Sequence, residues 1–345
     1  MRKKTILLIS VCLAVLLGGA VAVYLYFGQP KTPYPIDLVY LWVDGSDENW
    51  LKKKEYWRKK DDPHWLYATS TARWRDRDEL RHSLRSVEMY LPWVRQIFIV
   101  TDHQVPSWLN TNHPKIRIVD HTEIFPPDAL PVFNSNAIES RLSYIPGLAE
   151  HFIYLNDDVF VNAPLTPDFF FDADGKPISY IDRKWTKIYR KIIKKNPNDR
   201  WSRMVMNPAV IVEKKTGKKI PLMVGTHTSS AYLKSDYQKA QDLFEEEMRP
   251  TVYSKFRSPD DLTRGLVGLY AYTQGHVTSK DSLDVDPKFS CSPSGLLVML
   301  NMEDLRNLTP CLFCLNDTQD LPDEYNWAHT NYLKKRFPKK SSFEK

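Results

Sequence analysis

The chain has 345 residues, 42% hydrophobic and 26% charged, and its 48 Lys and Arg against 42 Asp and Glu give a formal net charge of +6. That balance is ordinary for a globular protein and excludes wholesale disorder. The charges are of both signs and no aromatic-basic repeat tracks along the chain, so the sequence carries no signal of a nucleic-acid partner.

The N-terminus is the clearest break in composition. A basic tip at residues 1–4, with Arg2, Lys3 and Lys4, precedes an uncharged run at residues 5–27. At about 1.5 Å per helical residue that run reaches across a hydrocarbon core of about 30 Å. The small-residue stretch Ala20-Val21-Ala22 resembles a signal-peptide cleavage site, but the apolar run continues through Phe27, which favours an uncleaved transmembrane anchor. Basic residues ahead of the run favour a cytoplasmic N-terminus in a single-pass membrane protein, with the body outward or lumenal. Residues 28–35 carry prolines and read as a stiff linker to a folded body at residues 36–320; residues 321–345 read as a basic C-terminal tail.

The body opens with a strand over residues 36–43, nearly continuous in bulky side chains as in a strand buried on both faces. Asp44-Gly45-Ser46-Asp47 ends it, either as a ligand loop of an open α/β sheet or as a surface turn. Residues 49–60 form a helix with a basic face. In the next helix Leu80, Leu84, Val87 and Leu91 make one buried stripe, which puts Arg81 and Arg85 together on another face. Two adjacent guanidiniums there either grip a diphosphate bidentately or form salt bridges with Asp78, Glu79 and Glu88.

Residues 93–100 and 115–119 are the second and third strands, in the strand-helix-strand order of a parallel sheet. Residues 134–150 are expected to be helical, with Ser135 or Asn136 as N-cap and Ile138, Leu142, Ile145 and Leu148 buried. The strand Phe152-Ile-Tyr-Leu-Asn-Asp-Asp-Val-Phe160 follows. Its adjacent carboxylates, Asp157 and Asp158, are costly side by side at a buried strand end. They fit a divalent cation carrying a diphosphate, or an Asx-type turn closing the strand. Their place at the carboxyl end of a sheet strand favours the ligand reading.

Residues 182–195 are basic and amphipathic, with Trp185, Ile188 and Ile192 on one face and Lys187, Arg190, Lys191, Lys194 and Lys195 on the other. A solvated helix face explains this pattern; so does a helix that meets anionic lipid or a polyanionic acceptor. His227 stands among small residues at a loop-to-helix junction. In Phe256-Arg257-Ser-Pro-Asp-Asp261, capping of a helix start accounts for the acids but not for Arg257, which could reach a phosphate. Cys311 and Cys314 form a CxxC without a second pair to complete a zinc site and read as structural.

These stretches resemble a known family. Asp37-Leu-Val-Tyr-Leu-Trp-Val-Asp-Gly-Ser-Asp47, Arg75 to Ser86 continuing through Pro92 to Thr101, and Phe152 to Val159 are similar to the first two blocks of the Stealth family. His227 with the 256–261 segment is similar to its third block, and Cys314-Leu-Asn-Asp317 to its fourth. Asp44 stands where the first block usually has Asn, and His227 lacks the Pro often found shortly after it. The resemblance implies an α/β, Rossmann-like, nucleotide-sugar transferase (GT-A-like) fold with a mostly parallel sheet flanked by helices. The implied activity is transfer of a sugar-1-phosphate from a nucleotide sugar to a glycan hydroxyl, with Mg²⁺ or Mn²⁺. It also implies Asp157, His227, Arg257 and Asp317 as catalytic residues and Asp157, Asp158 and Asp317 on the metal; Trp42, Asp44, Gly45, Arg81 and Arg85 are the expected contacts of the nucleotide sugar. A metal-dependent glycosyltransferase and a non-catalytic glycan-binding membrane protein are the alternatives.

Overall fold

The computed structural model describes residues 32–61, 71–196, 200–282, 309–315 and 323–345. The expected anchor at residues 5–27 lies outside them, as does Asp317; among the described residues no helix is long and apolar enough to cross a membrane.

The first half of the body runs β1 (Ile36–Leu41), α1 (Glu48–Asp61), α2 (Glu79–Tyr90), β2 (Ile97–Thr101), β3 (Ile116–Asp120), α3 (Ser135–Glu139), β4 (His151–Asn156) and β5 (Val159–Val161). The second half runs β6 (Ile178–Ile181), α4 (Arg183–Lys195), α5 (Arg200–Thr216), β7 (Ser230–Leu233), α6 (Lys234–Leu243), α7 (Glu245–Tyr253), α8 (Gly265–Thr273), β8 (Thr278–Asp281), β9 (Leu312–Cys314) and α9 (Asp323–Arg336). Five strands form the central sheet in the order β3-β2-β1-β4-β7, the first four parallel and β7 antiparallel to β4. The expected mostly parallel α/β sheet is therefore present.

Strand periodicity explains the two cores. Successive side chains of β1 and β2 point to opposite faces, so Leu38, Tyr40, Ile97 and Ile99 meet Leu80, Leu84 and Val87 of α2. Val39, Phe98 and Val100, with Phe152 and Tyr154 of β4, meet Leu142, Tyr237 and Phe244 on the other face. Both faces are covered, which is why the strands read as unbroken apolar runs. Each fully buried Leu or Phe contributes about 2 kcal/mol relative to an exposed one.

The expected long helix at 134–150 is corrected. Only Ser135–Glu139 is α-helical, followed by a 3₁₀ turn at Leu142–Tyr144. Pro146 disfavours helical backbone at Ile145, which sits at φ −58 and ψ 118, and Gly147 takes φ 78, a conformation few other residues adopt. Asn134, rather than Ser135 or Asn136, is the N-cap, its side chain accepting from the Asn136 N–H. The buried stripe Ile138, Leu142, Ile145 and Leu148 is as expected, because those four side chains face the core even though the backbone turns between them.

The C-terminus is likewise not a free tail. After α9 the chain docks back: Asn110 N–H donates to Phe343 O (2.8 Å), Lys345 N–H donates to Trp108 O (2.8 Å), and Phe343 is buried in the sheet's core. Here the paired guanidiniums find their anion. Arg85 grips Glu344 with two hydrogen bonds, Nε to Oε1 at 2.7 Å and Nη2 to Oε2 at 2.8 Å, and Arg81 Nε lies 3.1 Å from Glu344 Oε2. Arg81 and Arg85, expected to hold a diphosphate, here share the carboxylate of Glu344, an anion 259 residues from Arg85 that sequence spacing could not supply.

Burial opposes ionisation of Glu344, but the Arg85 guanidinium overrides it and pulls the carboxyl down to about 2 from an ordinary 4.5. A carboxyl depressed in the folded state stabilises fully above its unfolded pKa and loses that contribution as pH falls through the folded one. Glu344→Gln is expected to lower stability near pH 7 by about 2–3 kcal/mol, with the difference from wild type shrinking toward about pH 2. Urea unfolding at neutral and acidic pH reads this directly; an equal deficit at both would show that the ion pair contributes nothing.

Candidate active site

The carboxyl ends of β1, β2 and β4 form one edge. After β1, Trp42 is buried and its Nε1–H donates to Asp76 Oδ2 at 3.1 Å. Asp44 Oδ1 accepts from Ser46 N (2.8 Å) and Ser46 Oγ (2.6 Å), and Gln104 beyond β2 pins the same turn from both sides, accepting from Asp44 N and donating to Asp44 O, each at 3.0 Å. A Cβ on Gly45 would lie 1.8 Å from Trp74 O, so glycine is required there by the backbone packed over it. Two of the three expected nucleotide-turn residues, Trp42 and Asp44, thus have hydrogen-bond partners within the protein, and the Asp44 side chain holds the turn's shape.

After β4 comes the acidic corner. Burial pushes the Asp157 carboxyl well above its ordinary range, and Asp158, Glu79 and Asp76 push it further. Glu79, at the start of α2, is raised to about 8, first by burial and then by Asp76, although the Arg77 N–H donates to it at 2.5 Å. Asp76 is raised by burial as well. The groups acting on Asp157 are therefore carboxylates, the situation a hard divalent cation would relieve. Among the described residues no three acid, His or Cys side chains come close enough together to enclose a metal, and the third expected ligand, Asp317, lies outside them.

β5 and β9 close this corner. β5 is held on α2 by Ser83 Oγ donating to Val159 O (2.6 Å) and pairs antiparallel with β9, where Leu315 N–H donates to Asp158 O (2.9 Å). Cys314 is buried in β9, and burial and the neighbouring Asp158 push its thiol well above the ordinary value. Among the described residues Cys311 and Cys314 are not joined to each other by a disulfide; Cys311 is partly exposed and Cys314 buried.

On the other side of Asn156 lies a cavity of about 450 Å³, whose wall includes Asn136, Glu139, Asn156, His227, Arg257 and Arg264. It brings together two of the expected catalytic residues, His227 and Arg257, and stops at Asn156, next to Asp157 but without including it. His227 is exposed at the wall, ahead of β7. Arg257 is positioned by its neighbours: Phe256 stacks on Phe133 (5.2 Å between ring centroids) and the Arg257 Nη2–H donates to Ser135 Oγ. Burial lowers the guanidinium's pKa, opposed by Glu139, Tyr154 and Asp261.

The expected helix start at Ser258-Pro259 is corrected: residues 259–260 form a turn and α8 begins at Gly265, while Asp261 accepts from Asn134 Nδ2 (2.8 Å), Asn136 Nδ2 (3.1 Å) and Ser258 N (2.9 Å), tying α3 to the Arg257 segment.

Two residues of the cavity escaped the sequence reading. Glu139, at the end of α3, is buried and receives Arg264 Nη1 at 2.8 Å. The Tyr154 hydroxyl stands 3.1 Å from Glu139 Oε1 and 2.8 Å from Asn156 Oδ1. Burial alone would lower Arg264, but Glu139, Tyr232 and Tyr154 hold it well above the usual guanidinium value. A signal existed for Arg264: it immediately precedes the apolar helix α8, and a cation at a helix N-terminus runs against the helix dipole. Nothing marked Glu139 beyond its position beside Ile138 on a helical face.

The fold and site define an α/β protein with a ligand edge where an acidic strand end adjoins a cavity bearing His, Arg and an Arg-Glu pair. Residues 34–62 match Stealth protein CR1, conserved region 1, and residues 73–179 match Stealth protein CR2, conserved region 2. The chain is 34% identical to the capsular polysaccharide phosphotransferase fcs1 of Haemophilus influenzae, over 88% of this chain and 83% of that protein. It is 36% identical to the exopolysaccharide phosphotransferase SCO2594 of Streptomyces coelicolor, over 91% of this chain but 52% of that protein, so it spans about half that relative's length. The chain belongs to the Stealth family. A crystal structure of galactosyltransferase LgtC with donor and acceptor sugar analogs is similar at a TM-score of 0.44 and 13% identity, covering 88% of this chain and 95% of that one, too distant for chemistry to transfer.

Proposed function

We propose that the protein transfers a hexose- or N-acetylhexosamine-1-phosphate from a nucleotide sugar to a glycan hydroxyl in capsular or exopolysaccharide synthesis, on a GT-A-like fold. The observation that carries this is the convergence of His227, Arg257 and the Arg264-Glu139 pair in one cavity beside the acidic end of β4. Phosphoryl transfer asks for cations around the transferred group, precise positioning and a base for the nucleophile's proton. The acceptor oxygen forms a bond to the sugar-proximal phosphorus, the phosphoanhydride bond to the nucleoside monophosphate breaks, and the hydroxyl proton passes to His227. Arg257 faces the transferred phosphate; Arg264, fixed by Glu139, adds positive potential and orients that carboxylate.

The donor set of Asp157 and Asp158 fits Mg²⁺ or Mn²⁺, with Asp317, two residues beyond the Leu315 that bonds Asp158, as a third ligand. When bound, the ion neutralises diphosphate charge. The uncharged run at residues 5–27 serves as the membrane anchor, with the N-terminus cytoplasmic.

The released nucleotide tests the reaction. With a nucleotide sugar such as UDP-GlcNAc, Mn²⁺ and an acceptor glycan, nucleoside monophosphate is the expected product. Nucleoside diphosphate would mean attack at the anomeric carbon and a glycosyltransferase instead; no binding of any nucleotide sugar would favour a glycan-binding role.

A further inference from the structure

Helix α4 carries a surface that the cavity's chemistry does not use. Its sequence places Trp185, Ile188, Tyr189, Ile192 and Ile193 on one arc and Lys187, Arg190, Lys191, Lys194 and Lys195 on the other, with no acidic residue in its 13 positions. The protein covers only one edge of the apolar arc. Thr186 is buried, and its Oγ1 accepts from Val224 N at 3.1 Å; Tyr189 turns inward to line the cavity. The other edge is open: Trp185 is 50% exposed and Ile192 is 37% exposed, bordering the lysines. The helix start is firmly built, with Asp182 capping Trp185 N (2.9 Å) and Asp182 N–H donating to Val224 O (2.8 Å), so the face is presented by a fixed element.

We infer that α4 lies on an anionic lipid bilayer, with Trp185, Ile188 and Ile192 entering the headgroup region and the lysines and arginines meeting lipid phosphates. Charge complementarity alone would suit any polyanion. A polyanion, however, leaves the indole and the isoleucines in water, whereas a bilayer interface accepts apolar side chains and snorkelling cations together. Each basic side chain near an anionic surface is worth about a fivefold gain in partitioning. Because Tyr189 of this helix lines the cavity, and Val224, to which the helix is bonded, lies in the strand-flanking segment that also carries His227, a docked α4 sets the cavity wall beside the membrane.

The test is hydrogen-deuterium exchange on the full chain reconstituted in two bilayers, pure phosphatidylcholine and a mixture containing about one third phosphatidylglycerol. Either bilayer accepts an N-terminal anchor, so differences report the body. Amides of Arg183–Lys195 are expected to exchange about tenfold more slowly in the anionic bilayer, an effect abolished by high salt and by the combined K187E, K191E and K194E variant, while α2 is unchanged. Equal exchange in both bilayers overturns the proposal. So does slowing by soluble polyphosphate in detergent that matches the lipid effect, which would assign the face to a polyanionic chain.

Discussion

Replacing His227 by alanine is expected to lower turnover by about a hundredfold to ten-thousandfold, the range for a positioned general base, with the unfolding midpoint unchanged. His227 is exposed and ahead of β7, so no core packing is lost with it. Arg257→Ala should cost about a thousandfold, because a guanidinium facing a transferred phosphate acts only where charge develops. Its hydrogen bond to Ser135 Oγ is a single contact, whereas Asp261, bonded to Asn134, Asn136 and Ser258, holds the segment in place without it. Arg264→Ala is a different experiment: it strands the buried Glu139 carboxylate and should destabilise the fold as well as the reaction. Initial rates of nucleotide release at saturating donor, with thermal unfolding of each variant, separate these cases. A near-normal rate for a folded His227→Ala would remove His227 as the proton acceptor and leave Glu139 as the base in the cavity.

Asp157→Asn is expected to abolish metal-dependent turnover, by about a thousandfold, while raising the unfolding temperature in metal-free buffer. A carboxyl whose folded-state pKa is raised binds its proton more tightly folded than unfolded. Its penalty on stability is therefore absent at low pH and grows as pH climbs from the unfolded value of 3.8 toward the folded one. Burial and the three neighbouring acids Asp158, Glu79 and Asp76 set that penalty. The amide removes it without changing the side chain's size. Wild type should gain stability on addition of Mg²⁺ or Mn²⁺, and Asp157→Asn should gain much less. Thermal unfolding with and without the ion decides the matter: no ion-dependent gain in wild type, together with a lower midpoint for the variant, would make Asp157 a structural turn residue and no metal ligand.

Much of this architecture is local chemistry that one chain spells out. Unbroken apolar runs at β1, β2 and β4 state that both faces of each strand are covered, and the stripe Leu80, Leu84, Val87 and Leu91 states which side of α2 is inward. Asp157 and Asp158 declare themselves because two adjacent carboxylates at a buried strand end need an external reason to be there.

What sequence alone could not decide were pairings across long separations. Arg81 and Arg85 look like a phosphate clamp until Glu344 is seen between them; Asp261 looks like a helix cap and proves to tie Asn134 and Asn136 to the Arg257 segment. Glu139 carries no mark in its neighbourhood that it will be buried against Arg264, 125 residues away. By itself, the sequence determined the parallel sheet, its carboxyl edge and the acidic end of β4, because strand periodicity and the cost of adjacent charges are local. Only the tertiary structure decided which charges are spent inside the protein and which face the cavity, because a buried ion's role is set by the partner that compensates it, and that partner is chosen by the fold.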